Sequence, residues 1–223
     1  MLEFIRGPLI GISFLIFLLG LLYQTLRFFT LTKKKDLVFI EIPFNPDKPP
    51  PRHWTQKMVD GLIYLKRKTI WGHHPFMAGV TSIFHASLFI VPLFLLGHNI
   101  LLEEAWGISL WSFTESFSDK LTWIPFLCGG IFLFRRLFIR KVRVITTPYD
   151  YIALSITLAP FLTGYLAYHQ YFDYQTMMLL HILAGEVMFI TIPFTKLGHM
   201  LFFFLYRFFI GSEYSFGRGT RTW

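Results

Sequence analysis

The chain has 223 residues, of which 54% are hydrophobic and 15% charged, against about a quarter charged in soluble domains. With 27 phenylalanines among them, this excludes a disordered chain and argues against an ordinary soluble globule. The one cysteine, Cys128, excludes a disulfide scaffold, a CxxCH haem attachment and any iron–sulfur cluster held by this chain alone.

Five apolar stretches, each near the ~20 residues that cross a bilayer, predict an all-α membrane protein, with 1–223 forming a single five-span domain. They run from about Leu9 to Phe29, Phe76 to Leu102, Leu121 to Ile139 and Tyr149 to Tyr168. The fifth begins near Gln175 and reaches about Phe209, so it must tilt, kink or extend past the membrane. Met1–Arg6 has neither a basic n-region nor a small-residue cleavage site, and no removable signal peptide is expected.

A net charge of +8 would suggest nucleic acid as the partner of a soluble protein. Here the cations sort by side. Arg27, Lys33, Lys34, Lys35, Lys48, Arg52, Lys57, Lys66, Arg67 and Lys68 lie between spans one and two. Arg135, Arg136, Arg140, Lys141 and Arg143 lie between spans three and four, and Arg207, Arg218 and Arg221 follow span five. The opposite side carries only Arg6 and Lys120, beside Glu3, Glu103, Glu104, Glu115, Asp119 and Asp173. The positive-inside rule then puts the N-terminus outside and the C-terminus in the cytoplasm, and the span count must be odd. The charge is an orientation signal, and no nucleic-acid partner is expected. A cytoplasmic loop covers 30–75, with Pro49-Pro50-Pro51 as an extended or kinked stretch. Within it, Trp54 to Lys68 can form an amphipathic helix on the membrane face. A cytoplasmic tail covers 210–223.

Ionisable residues within the hydrocarbon region are costly and point to function. Four histidines fall within the spans, His85 and His98 on the second and His181 and His199 on the fifth. A continuous helix would put His181 and His199 on one face, roughly 27 Å apart along its axis. The same geometry leaves His85 and His98 about 140° out of phase unless Pro92 changes the local winding. His74, 11 residues before His85 and nearly in phase with it, competes with it. By topology His98 matches His181 in depth near the outside, and His85 matches His199 near the cytoplasm. Two histidines at one depth on two helices suit bis-imidazole ligation of haem b, and two such levels make a transmembrane electron wire. The bland alternative is a histidine hydrogen-bonded between helices. Lys196 can meet a haem propionate or snorkel to the interface. Glu186 can relay protons or be neutral and hydrogen-bonded. Asp150 is expected at the N-terminus of the fourth span's helix.

The stretch Arg135-Arg136-Leu137-Phe138, Val142-Arg143 and Thr146-Thr147 before Asp150 resembles the segment between spans three and four of respiratory nitrate reductase gamma subunits. So does Pro193-Phe194-Thr195-Lys196-Leu197-Gly198-His199, following His181. The run from Pro160 to Gln170 more closely resembles the cytochrome b subunits of sulfate-reducer transmembrane redox complexes of the Hmc and Tmc types. The resemblance covers about Phe76 to Phe209. It implies a five-span dihaem cytochrome b in a prokaryotic inner membrane, moving electrons between the outer side and a cytoplasmic iron–sulfur subunit. It also implies two haem b groups, the inner on His85 and His199 and the outer on His98 and His181. The outer partner would be menaquinone or an external multihaem cytochrome c, and other membrane subunits would share the complex. Gly97, His98 and Lys120 fall where the nitrate reductase subunit has quinol-site residues, and Lys120, His169 and Glu186 are candidate proton relays. Two other classes compete. One is a haem-free membrane anchor. The other is a proton-coupled transporter, disfavoured because the sequence shows neither the repeats nor the broken helices expected of that class.

Overall fold

The computed structural model describes residues 4–31, 53–56, 58–59 and 70–214, with side chains described throughout except at 6, 70, 71 and 207–214. A π-helical turn, Ile5–Leu9, leads into α1 (Ile10–Leu31). There follow α2 (Pro75–Phe94), α3 (Leu96–Trp106), α4 (Glu115–Phe138), α5 (Pro148–Tyr168), α6 (Tyr174–Thr191) and α7 (His199–Tyr214). Among the described residues there is no strand. Five helical segments are long and apolar enough to cross a membrane: Gly7–Leu31, Pro75–Phe94, Glu115–Phe138, Pro148–Tyr168 and Tyr174–Phe194. The chain is an all-α, multi-pass membrane protein. Of the expected interfacial helix over 54–68, residues 54–56 and 58–59 are helical and exposed. The rest of that helix, most of the 30–75 loop and residues 215–223 lie outside the described residues.

Two spans break where the sequence expectation ran on. The second stops at Phe94 instead of continuing to Leu102, and Leu95 is extended at φ −77° and ψ 128°. The last carbonyls of a helix lack intrahelical donors and must find others. Here side chains beyond the break supply them: His98 Nδ1 donates to the Pro92 carbonyl at 2.9 Å and Asn99 Nδ2 to the Leu93 carbonyl at 3.1 Å. The Phe113 N–H reaches the Phe94 carbonyl at 2.9 Å. The fifth span breaks after Thr191 into two 3₁₀ turns, Ile192–Phe194 and Lys196–Gly198, with extended Thr195 between them. Pro193 cannot donate a backbone hydrogen bond, which favours a break at this point. Span three begins at Glu115, earlier than expected, so Lys120 lies on α4 itself. Span four starts one residue before the expected Tyr149 and ends at the expected Tyr168.

The described chain forms two compact units, Met1–Lys34 with Arg136–Trp223 and Lys35–Arg135. In the first, α1, α5, α6 and α7 pack together. Phe189 of α6 meets Phe14 and Phe17 of α1 at ring-centroid distances of 6.0 and 5.3 Å. Farther along both segments, Gln24 Nε2 donates to the Pro193 carbonyl at 2.8 Å. The paired positions rise together, so α1 and α6 run in the same direction. Gly20 makes this approach possible, because a Cβ there would lie 2.6 Å from Pro193 Cγ. On α5 and α6 the pairing runs the other way, with His181 bonded to Pro160 across the hairpin. Phe28 of α1 meets Tyr206 of α7 edge-on at 5.3 Å. The N-terminus of α5 carries a capping box, in which Thr147 and Asp150 satisfy each other's backbone and side-chain groups. Asp150 therefore has the helix-terminal place expected of it.

In the second unit, Phe84 of α2 packs edge-on against Phe132 of α4 at 5.1 Å. Asn99 is 1% exposed and organises the connection after α3. Its amide donates to Ser112 Oγ at 2.8 Å and accepts from the Leu110 N–H at 3.2 Å. A left-handed Gly107, φ 66°, ends α3.

Candidate functional site

The helix breaks place the four histidines differently from the sequence expectation. His85 is on α2 and His98 in the first turn of α3, so they do not share a continuous helix. His181 is on α6, and His199 opens α7 beyond the two 3₁₀ turns. The five-turn phase relation between His181 and His199, with its axial separation, therefore does not hold. Nor does a helical i, i+3 relation between Lys196 and His199.

What the four share is the partner of one ring nitrogen. His85 Nδ1 bonds to the Thr81 carbonyl at 2.7 Å and His98 Nδ1 to the Pro92 carbonyl at 2.9 Å. His181 Nδ1 bonds to the Pro160 carbonyl at 2.8 Å and His199 Nδ1 to the Lys196 carbonyl at 2.7 Å. A carbonyl can only accept, so Nδ1 carries the hydrogen in each. In the neutral ring Nε2 then holds the lone pair. A backbone carbonyl on the far nitrogen is the usual outer support of a metal-ligating histidine, fixing its tautomer and ring plane and raising its basicity. His74 precedes α2 as its N-cap, at φ −140° and ψ 64°.

His181 is the most constrained of the four. Gly164 of α5 faces its ring, and a Cβ on that glycine would lie 2.9 Å from Cε1 and 3.0 Å from Nδ1. Thr163 Oγ1 lies 3.5 Å from the same Nδ1. Sequence reasoning missed Pro160 and Gly164 as supports of this histidine. Their i, i+4 spacing on one helix face was the available signal. It also missed Asn99, a buried amide directly after His98.

The remaining candidates are dispersed. Lys196 donates to Asp150 Oδ1 at 3.0 Å and Thr147 Oγ1 at 3.3 Å, tying the second 3₁₀ turn to the start of α5. His169 ends α5 among Tyr165, Tyr168 and Tyr171, with ring centroids 4.4, 5.1 and 5.6 Å away. Gly97 is in the first turn of α3 with open space at its Cβ position, and Lys120 is exposed on α4. Glu186 of α6 is 4% exposed, and neither carboxyl oxygen has a hydrogen-bond partner. Among the described residues, no three His, Cys, Asp or Glu side chains converge as a metal site.

The donor types fit haem b, which takes imidazole ligands, because every candidate imidazole has its Nδ1 bonded to a backbone carbonyl. Fold and side chains thus define a five-pass helical membrane protein with four carbonyl-anchored histidines. A protein of Nitratidesulfovibrio vulgaris (strain Hildenborough) is 34% identical over 223 residues, covering 100% of this chain and 97% of that protein. The chain belongs to the same family as that protein, whose name states no function. No protein-family model matches the chain. No solved structure matches it either.

Proposed function

We propose that this chain is the haem b-carrying membrane subunit of a respiratory redox complex. It would carry electrons across a prokaryotic inner membrane between a menaquinone pool or external multihaem cytochrome c and a cytoplasmic iron–sulfur subunit. The observation that supports this most is the common anchoring of His85, His98, His181 and His199 through Nδ1 to backbone carbonyls. The pairing into an outer level, His98 with His181, and an inner level, His85 with His199, comes from the depth order along the spans. The orientation, N-terminus outside and C-terminus cytoplasmic, comes from the distribution of Lys and Arg.

When bound, haem b would supply a one-electron Fe(III)/Fe(II) couple. The chain's own residues have two tasks. The four imidazoles bind through Nε2. The carbonyls of Thr81, Pro92, Pro160 and Lys196 orient them and fix the tautomer. His85 and His181 lie within the apolar spans, while His98 and His199 follow the breaks that end them. Lys196 and Asp150 hold the cytoplasmic end of α5 against the turn before His199, so Lys196 positions that histidine whether or not it also meets a propionate.

A pyridine-haemochrome assay on the purified protein tests this reading. Two haems b per chain are expected, and loss of one in His181→Ala. A chain that carries no haem, or a reduced-minus-oxidised spectrum unchanged by His181→Ala, would return the protein to the class of membrane anchors.

A further inference from the structure

Glu186 lies twelve residues after Tyr174 and eight before Phe194, near the middle of its span. It is 4% exposed, and its carboxyl oxygens have no partner. The packing register of its unit shows what lies at its level. Since Phe189 meets Phe14 and Phe17 on the parallel α1, Glu186 is level with residues 11–14. In that stretch Ser13 is the buried residue, at 0% exposure. Since His181 meets Pro160 to Gly164 on the antiparallel α5, Glu186 is level with residues 155–159. In that stretch Thr157 is the buried residue, at 7%. Three buried polar side chains therefore occupy one level of this helical unit.

The two hydroxyls are already committed as donors, Ser13 to the Ile10 carbonyl at 2.9 Å and Thr157 to the Ala153 carbonyl at 2.8 Å. Their oxygens remain acceptors. Such a level has acceptors for a carboxylic acid and no free hydroxyl donor for a carboxylate. No other ionisable residue lies within a helical turn of this level on α6, α5 or α1. On α6 the nearest is His181, five residues away, and on the π-helical turn Arg6 precedes Ser13 by seven residues, about 10 Å of helical rise. On α5 the nearest are Tyr151 and Tyr165, and on α1 Tyr23. An ionised Glu186 needs a positive centre, because a buried charge without one is costly.

We propose that Glu186 is a redox-linked proton site. Its carboxylate takes up one proton from water when the protein gains an electron, and releases it on oxidation. The electron reduces haem iron from Fe(III) to Fe(II), removing the positive charge that the carboxylate offsets, and –COO⁻ plus H⁺ gives –COOH. The role rests on the haem reading above, since that charge is the one the carboxylate answers.

Dithionite-reduced-minus-oxidised infrared difference spectra in H₂O and D₂O test it, with haem counted on the same samples. The wild type is expected to gain a carboxylic-acid C=O stretch on reduction that shifts down in D₂O. The band should vanish in Glu186→Gln with both haems retained, and move in Glu186→Asp. Should Glu186→Gln lose haem, the movement in Glu186→Asp decides. A two-haem wild type without the band overturns the proton site and leaves the haem reading standing. So does a band unchanged in both variants. Protein without haem overturns both.

Discussion

Gly164→Ala puts the His181 environment to the sharpest test. The added Cβ would sit 2.9 Å from the ring's Cε1 and 3.0 Å from Nδ1, where ordinary contact begins at 3.4 Å. The ring must retreat by roughly half an ångström, but it is held by the 2.8 Å bond from Nδ1 to the Pro160 carbonyl. Moving it strains or breaks that bond, a loss of about 0.5–1.5 kcal/mol. Overpacking adds about 1–3 kcal/mol. The expected sum, roughly 1.5–4.5 kcal/mol, falls on the ring and the α5–α6 contact rather than on either helix alone. Gly185→Ala on α6 is the matched control, because nothing lies within 4 Å of its Cβ position. The measurements are haem per chain, the reduced spectrum and the thermal midpoint in detergent. Gly164→Ala should lower the midpoint, and should lose or spectrally shift one haem and leave the other. If it keeps both haems unshifted and melts like Gly185→Ala, the argument that Gly164 seats this ring is wrong.

Gly20→Ala would put a methyl 2.6 Å from Pro193 Cγ and should cost about 1–3 kcal/mol by prising α1 from the turn after α6, read as a lowered thermal midpoint. His85→Ala should leave one haem per chain and His74→Ala two; the reverse would transfer the ligand role to His74. Asp173 caps α6, and hydrogen bonds from the Thr176 hydroxyl and N–H hold its carboxyl below the usual aspartate range. Its contribution is therefore fully present above that range and is lost as pH falls through the lowered value. Asp173→Asn should keep the cap and flatten the acid limb of a stability–pH curve, and an unchanged limb would refute the assignment.

Hydropathy carried the spans well because each needs only an apolar stretch of sufficient length. It did not show where the helices break. Those breaks depend on individual bonds: His98 and Asn99 reaching back to the carbonyls of Pro92 and Leu93, and Gln24 reaching the Pro193 carbonyl from 169 residues away. A phase argument across Leu95 or Thr195 assumes an unbroken helix and fails at those residues. The histidines were legible as rare polar residues in apolar stretches. Their common carbonyl anchors were not, since Thr81, Pro92, Pro160 and Lys196 contribute backbone atoms that every residue has. Pro160 and Gly164 required knowing that α5 and α6 pair with His181 between them.

The partnership of α1 with α6 also bears on how the protein is made. Gln24 finds its carbonyl, and Gly20 its proline, only after residue 193 has been synthesised. At 5–20 residues per second, α1 waits on the order of 10 s in the membrane before that partner exists. During the wait its amide and its glycine notch face lipid or the insertion machinery. A chain truncated before α6 would leave this first helix unclaimed, a natural mark for quality-control proteases.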